Sequence, residues 1–180
     1  MLFIFASVAI YFTSALVYKS ALKFFYPLKY EAIISKASNN YKVDKELILA
    51  IIKCESGFET NAHSKANAHG LMQLTPETFD WLKTCFTHDE NLQLSKLDSP
   101  EINISYGTLF ISILMKKYKN EDTALSAYNA GIATVDRWLS NKEYSKDGFN
   151  LKYIPYKETR NYVKRVKKAK DIYKKLYFKN

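Results

Sequence analysis

Residues 54–78, C-E-S-G-F-E-T-N-A-H-S-K-A-N-A-H-G-L-M-Q-L-T-P-E-T, decide how this chain is read. An apolar helical run over residues 47–54 delivers one acid, Glu55, at its end. Ser56 and Gly57 break the pattern and a loop of small residues follows. Gly70-Leu71-Met72-Gln73-Leu74 then leads into a new helix start at Thr75-Pro76. The implied shape is a carboxyl on a buried helix, facing a loop that folds back over it. Glutamate is seldom buried without a reason, and a carboxyl withdrawn from water has its pKa raised. A carboxylic acid that keeps its proton near neutrality is what a general acid requires.

Outward from this stretch the chain reads as mainly α-helical. Asp44 suits the N-cap of the helix that carries Glu55, with Leu47, Ile48, Ile51 and Ile52 as its apolar stripe. Residues 28–37 have helical spacing, and Asn39-Asn40 is expected to break that helix. Thr75 caps a third helix with Pro76 at its first position. Ser99-Pro100-Glu101 repeats the signal for a helix to about Tyr118, with Ile102, Tyr106, Leu109, Phe110, Ile113 and Leu114 facing inward. Glu121-Asp122-Thr123 starts a short helix ending in Ala127-Tyr128-Asn129-Ala130-Gly131, where Gly131 fits a C′ position of positive φ. Val135 and Trp138 mark a further short helix. Asp147-Gly148, in the middle of residues 144–153, predicts a small β-hairpin. An amphipathic helix runs from Glu158 to about Leu176.

The composition excludes a disordered chain. The 180 residues are 47% hydrophobic and 25% charged, and only five Gly and four Pro argue against long linkers. The N-terminus is different in kind: residues 2–18 hold no charge, and Lys19, Lys23 and Lys29 follow them. That run is at the short edge of a membrane span and long for the apolar part of a signal peptide. No small-x-small cleavage site follows it. A retained apolar membrane-anchor helix with its connector is therefore expected over residues 1–26, ahead of a domain over 27–180. By the positive-inside rule the lysines after the run would leave the body in the cytoplasm.

Four blocks carry a resemblance. They are Glu55-Ser56 with Phe58, Ala62, Ser64 and Gly70-Leu71-Met72-Gln73-Leu74-Thr75-Pro76; Asn103-Ile104 with Gly107; Ala127-Tyr128-Asn129-Ala130-Gly131 with Val135 and Arg137-Trp138; and Pro155, Glu158-Thr159-Arg160 and Tyr162-Val163. In order and spacing this set resembles the soluble lytic transglycosylase catalytic domain family, over about residues 40–170. The resemblance implies a lysozyme-like α+β fold. It also implies cleavage of the β-1,4 bond between N-acetylmuramic acid and N-acetylglucosamine, the muramic acid C6 hydroxyl closing on its own C1 to leave a 1,6-anhydro end. Two departures stand out. Asn67 takes a place where the family often has Gly, and Asn tolerates left-handed geometry. Cys54 stands where a small apolar residue is usual.

The resemblance makes Glu55 the single acid/base. No second acid lies near it in sequence except Glu59, whereas most glycosidases need two carboxylates. A nucleophile that belongs to the substrate removes the need for one to activate water, and such tethering is worth on the order of 10⁵ M or more. The resemblance also places Ser64, Met72, Gln73, Tyr128, Asn129, Glu158 and Tyr162 at the sugar groove. For several of these a plain structural role stands beside the functional one: Met72 as core, Asn129 as a helix cap, Glu158 as a charge at a helix start.

His63 and His69 are six apart and His88 precedes Asp89, spacings that match no usual metal set, so the histidines are read as solvated and no metal or cofactor is expected. Cys54 and Cys85 are read as two buried free thiols. Residues 157–180 hold ten Lys/Arg and two Asp/Glu, +8 of the chain's formal +9. That face is either simply solvated or drawn to anionic wall polymer or lipid headgroups. No nucleic-acid motif accompanies it.

The reading that results is a monomeric lytic transglycosylase of the cell membrane, single-pass, acting on peptidoglycan glycan strands. Because that substrate lies outside, export of the body is expected despite the lysines, with basic residues upstream of the given start as the reconciling hypothesis. The rivals are a lysozyme-type hydrolase on the same fold, a wall-binding protein that does not cleave, and a basic nucleic-acid-binding module.

Overall fold

The computed structural model describes residues 2–89 and 91–178, with side chains at 13, 14 and from 16 on. Among them run α1 (Leu2–Phe25), α2 (Glu31–Tyr41), α3 (Lys45–Glu55), α4 (Pro76–Leu82), α5 (Pro100–Tyr118), α6 (Glu121–Ala130), α7 (Ile132–Ser140) and α8 (Lys157–Tyr177). A π-turn (Lys83–Thr87) extends α4, and a 3-10 turn (Leu94–Asp98) precedes α5.

The core is built on α3. Leu47, Ile48, Leu49, Ala50, Ile51 and Ile52 are all buried, six consecutive residues rather than one stripe. A helix that is apolar all round has to be enclosed on every side. Here α8 packs along it, α2 lies beside it, and α5 bridges α2 to α6. The helix that carries Glu55 is therefore the central post of the domain. Its companion α8 shows the opposite pattern: Tyr162, Val163, Val166, Ala169 and Tyr173 face inward and its basic residues face out. Two of those lysines are tied to the acidic first turn of α6, Lys167 to Asp122 at 2.7 Å and Lys170 to Glu121.

Most start signals hold, but not always through the expected atoms. Thr75 Oγ1 accepts from Thr78 N at 3.3 Å, with Pro76 opening α4. Asp44 precedes α3 and Ser99 precedes α5, yet neither side chain caps its helix. Ser99 Oγ donates to Glu101 Oε2 at 2.9 Å instead. Gly131, at φ 86°, joins α6 to α7. The left-handed geometry foreseen for Asn67 is present, at φ 58°.

Two expectations are corrected. Asn39-Asn40 does not end α2, which continues to Tyr41 and closes at Lys42 in the left-handed region. Tyr41 is held from outside: its carbonyl accepts from Ser112 Oγ at 2.8 Å and its hydroxyl meets Ser105 Oγ at 3.1 Å. Those contacts outweigh a propensity deficit of roughly 0.7 kcal/mol or less per Asn. The β-hairpin at 144–153 does not form. No strand is found among the described residues, only isolated bridges, one of them between Ser145 and Leu151. Asp147 explains this, because its carboxylate accepts from Phe149 N and Asn150 N, each at 2.8 Å. Donors that a ladder would have used are captured by a side chain within the loop.

Among the described residues no helix is long and apolar enough to cross a membrane. Much of the expected anchor, residues 2–12 and 15, lies outside the described side chains. The residue just after α1 meets the domain: Tyr177 Oη donates to Tyr26 O at 2.8 Å, and the Tyr26 and Tyr173 rings meet edge to face.

Candidate active site

Glu55 is the last residue of α3, so the buried post sets its position. The next residue turns the chain: Ser56 Oγ donates to Leu71 O at 2.8 Å and accepts from Phe58 N at 3.2 Å. The loop thus returns over the end of α3. Phe58 and Gln73, both non-glycine, hold φ of 74° and 49°. Backbone in this region is costly and persists where its surroundings over-determine it.

Those surroundings are identifiable. Asn103 on α5 is fully buried; its Oδ1 accepts from Met72 N at 2.7 Å while its Nδ2 donates to His69 O at 2.9 Å and Leu97 O at 2.8 Å. A Cβ at Gly70 would run into the Asn103 carboxamide and stand 2.7 Å from Leu97 O. One turn on, Gly107 leaves room for the Met72 thioether, which a Cβ there would meet at 2.5 Å. From α6, Tyr128 Oη donates to Met72 O at 2.8 Å. Gln73 Nε2 donates to both Ala62 O and Gly70 O, each at 2.9 Å, and closes the loop on itself.

The carboxyl under this loop is strongly perturbed. Burial pushes the Glu55 pKa up to about 7, against smaller opposing effects from Tyr162 and the Arg165 guanidinium. Glu55 is half-buried, so the group is desolvated but not sealed off. Two phenols face it. The pKa values of Tyr128 and Tyr162 are both driven well above the ordinary phenol value, first by burial and then by the Glu55 charge. Tyr128 spends its proton on Met72 O. The Tyr162 hydroxyl is buried and completes no hydrogen bond among the described residues; its approach to Glu55 is loose rather than a formed bond.

The structure therefore brings together Glu55, Tyr128 and Tyr162, while Gln73 sits in the clamped loop with its amide bonded to that loop's own carbonyls. Met72 joins them through its backbone, while its side chain is fully buried core. Asn129 is half-buried at the end of α6. Ser64 is exposed at the loop tip, where its Oγ accepts from Ala68 N at 3.0 Å. Glu158 is exposed on the first turn of α8. The thiols are free, as expected, but not both buried: Cys54 is half-buried, with a pKa pushed up to about 11 chiefly by burial, and Cys85 is exposed.

Sequence reasoning missed Ser56 and Asn103 as clamps, though both lie inside the quoted blocks. It also missed Arg165. The only signal for Arg165 was its place three residues after Tyr162, which puts the two on neighbouring faces of α8.

Comparison with known proteins identifies the family and the fold. Residues 32–150 match the Transglycosylase SLT domain family, and the chain belongs to that family. It is 31% identical over 143 residues to the soluble lytic murein transglycosylase of Salmonella typhimurium, covering 78% of this chain and 22% of that protein. It is 33% identical over 169 residues to the membrane-bound lytic murein transglycosylase C of Histophilus somni, covering 81% and 46%. Among solved structures, an inactive mutant of the lytic transglycosylase Slt from Pseudomonas aeruginosa superposes with a TM-score of 0.74 at 28% identity, over 86% of this chain and 25% of that one. The 70 kDa soluble lytic transglycosylase from Escherichia coli gives 0.76 at 26% identity, over 87% and 26%. The fold is the mainly helical, lysozyme-like one of that family. The chain spans between about a fifth and a half of the length of these relatives.

Proposed function

We propose that this chain is a peptidoglycan lytic transglycosylase that cuts the MurNAc-β-1,4-GlcNAc bond and leaves a 1,6-anhydromuramoyl end. The observation that carries the reading is Glu55: a carboxyl, half-protonated near pH 7, at the end of a buried helix beneath a clamped loop. Neutral Glu55 donates its proton to the glycosidic oxygen as the C1–O bond breaks. The resulting carboxylate takes the proton of the C6 hydroxyl as that oxygen bonds to C1, so the acid ends as it began. The substrate's N-acetyl group shares the positive charge at C1. Tyr162, neutral and with its hydroxyl unspent, is placed to donate to Glu55 or to the sugar. Tyr128 acts through Met72 O, holding the loop in place.

Gln73 keeps its Oε1 for a sugar donor, because its amide hydrogens are engaged by the loop. Ser64, Asn129 and Glu158 are assigned to the outer groove. Digestion of purified sacculi with wild type and Glu55→Gln, read by mass, tests the assignment. Anhydro ends from the wild type alone support it. Reducing ends mean a hydrolase, and equal cleavage by the variant removes Glu55 from its role.

Membrane attachment through the N-terminal segment belongs to the same proposal. Residues 2–18 carry no charge, and Leu16, Val17, Tyr18, Phe24 and Phe25 of α1 are exposed apolar surface. The basic face of α8 is assigned to anionic wall polymer or lipid headgroups. Protease treatment of cells stripped of wall checks the topology; a fully protected body contradicts export.

A further inference from the structure

We propose that His63, His69 and Asp98 form a binding site for a divalent transition-metal ion of the zinc type, outside the Glu55 site. The two histidines are six apart in sequence, but the loop turns back between them and they become partners in an antiparallel bridge. Their rings meet edge to face with centroids 4.4 Å apart. Asp98, at the end of the turn before α5, completes the group. Its Oδ1 lies 3.7 Å from His63 Nε2 and 3.8 Å from His69 Nδ1, and the three ligand atoms all lie within 4.8 Å of one another.

Two details point to a cation at the centre. Asp98 Oδ1 is buried and has no hydrogen-bond partner among the described residues. A carboxylate oxygen withdrawn from water without a donor is costly. The other ring nitrogen of His69, Nε2, lies 3.2 Å from Asn67 Oδ1. That oxygen only accepts, so Nε2 carries a hydrogen. With Nε2 so engaged, Nδ1 is the ring nitrogen that faces Asp98 Oδ1, 3.8 Å away. This is the outer-partner arrangement that orients metal-bound histidines. Two imidazoles and a carboxylate suit Zn²⁺, Ni²⁺ or Cu²⁺ rather than the all-oxygen shells of Mg²⁺ or Ca²⁺. Metal–ligand bonds of about 2.0–2.2 Å put tetrahedral donors roughly 3.3–3.5 Å apart, so a small rotation of the side chains closes the set. Three protein ligands leave a position for water.

The ion would cross-link the 61–69 loop to the turn before α5. Asn103 already joins these two segments through His69 O and Leu97 O. A metal there would stiffen the segment that carries Gln73 without touching the reacting bond.

The test is calorimetric titration of untagged, chelator-treated protein with Zn²⁺, beside His63→Ala, His69→Ala and Asp98→Asn. Co²⁺ absorption reports the ligand type. The expected result is one ion per chain with nitrogen and oxygen ligation and a raised thermal midpoint. Each substitution should weaken binding by at least the roughly 10–100-fold that even an outer partner is worth. His63 is exposed, so its variant should fold normally and keeps the test decisive. No Zn²⁺ binding by wild type, a thiolate signature, or affinity unchanged in the variants would overturn the site. The metal-free account is a pair of histidine–carboxylate contacts with no ion.

Discussion

Two loops of this molecule each go with an acid, one held within its loop and one lying beneath it, and they solve opposite problems. The 141–156 loop is organised from within, by Asp147. Bonds from the Asn150 side chain and from the Phe149 and Asn150 N–H groups hold its carboxyl far below the usual range, and it stays ionised in water. The 56–75 loop is held from without, by Asn103 on α5 and Tyr128 on α6, and pinned at its own start by Ser56 just after α3. The acid beneath it, Glu55, is pushed the other way by loss of water. A carboxylate that supplies its own donors is a structural part. A carboxyl that loses much of its water without enough donors to replace it becomes a reactive one, and its loop has to be held by something else.

The sharpest way to break this contrast is to cut the outside clamp. Asn103→Ala strands Met72 N, His69 O and Leu97 O in the interior. At roughly 1–3 kcal/mol for each unpaired buried group, partly relieved by relaxation, a loss of about 3–5 kcal/mol is expected in denaturant unfolding. A loss under about 1 kcal/mol would mean the clamp is not what holds the loop.

Glu55→Gln comes next, and its effect depends on pH. The folded carboxyl keeps its proton up to about pH 7, whereas an unfolded one releases it near 4.5. The stability linked to Glu55 is therefore fully present below about 4.5 and is lost as the pH rises through 7. The Gln variant should match wild type near pH 4 and exceed it by up to about 3 kcal/mol at pH 9, from 1.36 kcal/mol per unit over the shift. Paired unfolding curves at the two pH values check this. In the wild type, cleavage should fall as the pH climbs through 7, because the proton donor is being lost.

Tyr128→Phe removes one bond to the loop, Oη to Met72 O. It should cost about 1 kcal/mol of stability and weaken sacculus cleavage less than Glu55→Gln does. Retention of the Phe110 ring contact, 5.1 Å between centroids, keeps the aromatic packing as a control. The smallest effect belongs to the self-sufficient loop. Asp147→Ala should leave the global thermal midpoint in place while hydrogen exchange quickens at Phe149 and Asn150. The same amides should lose protection in wild type only at strongly acid pH.

What was legible in the chain follows the same division. Thr75-Pro76, Asn67 and Gly131 were read correctly because their conformations are settled by neighbours in sequence. Glu55 was legible because an acid at the end of an apolar run is a local pattern. The hairpin was misread although its determinant is also local: Asp147-Gly148 signals a turn, but not which groups capture the N–H donors. Asn39-Asn40 was misread because Ser105 and Ser112, more than sixty residues away, hold Tyr41. Arg165, the Asn103 clamp and the His63–His69–Asp98 cluster were out of reach because each joins segments that meet only when the helices pack.

By itself, the sequence determined an apolar run of helix over residues 47–52, an acid at the helix's end and a loop of small residues to follow, since short-range sterics and hydrophobic pattern settle such features. Only the tertiary structure decided that the acid keeps its proton near neutrality, that Tyr162 faces it with an unspent hydroxyl, and that two histidines converge on Asp98. A pKa and a ligand set both depend on what surrounds a group in three dimensions, and that is fixed only once α3, α5, α6 and α8 close around the loop.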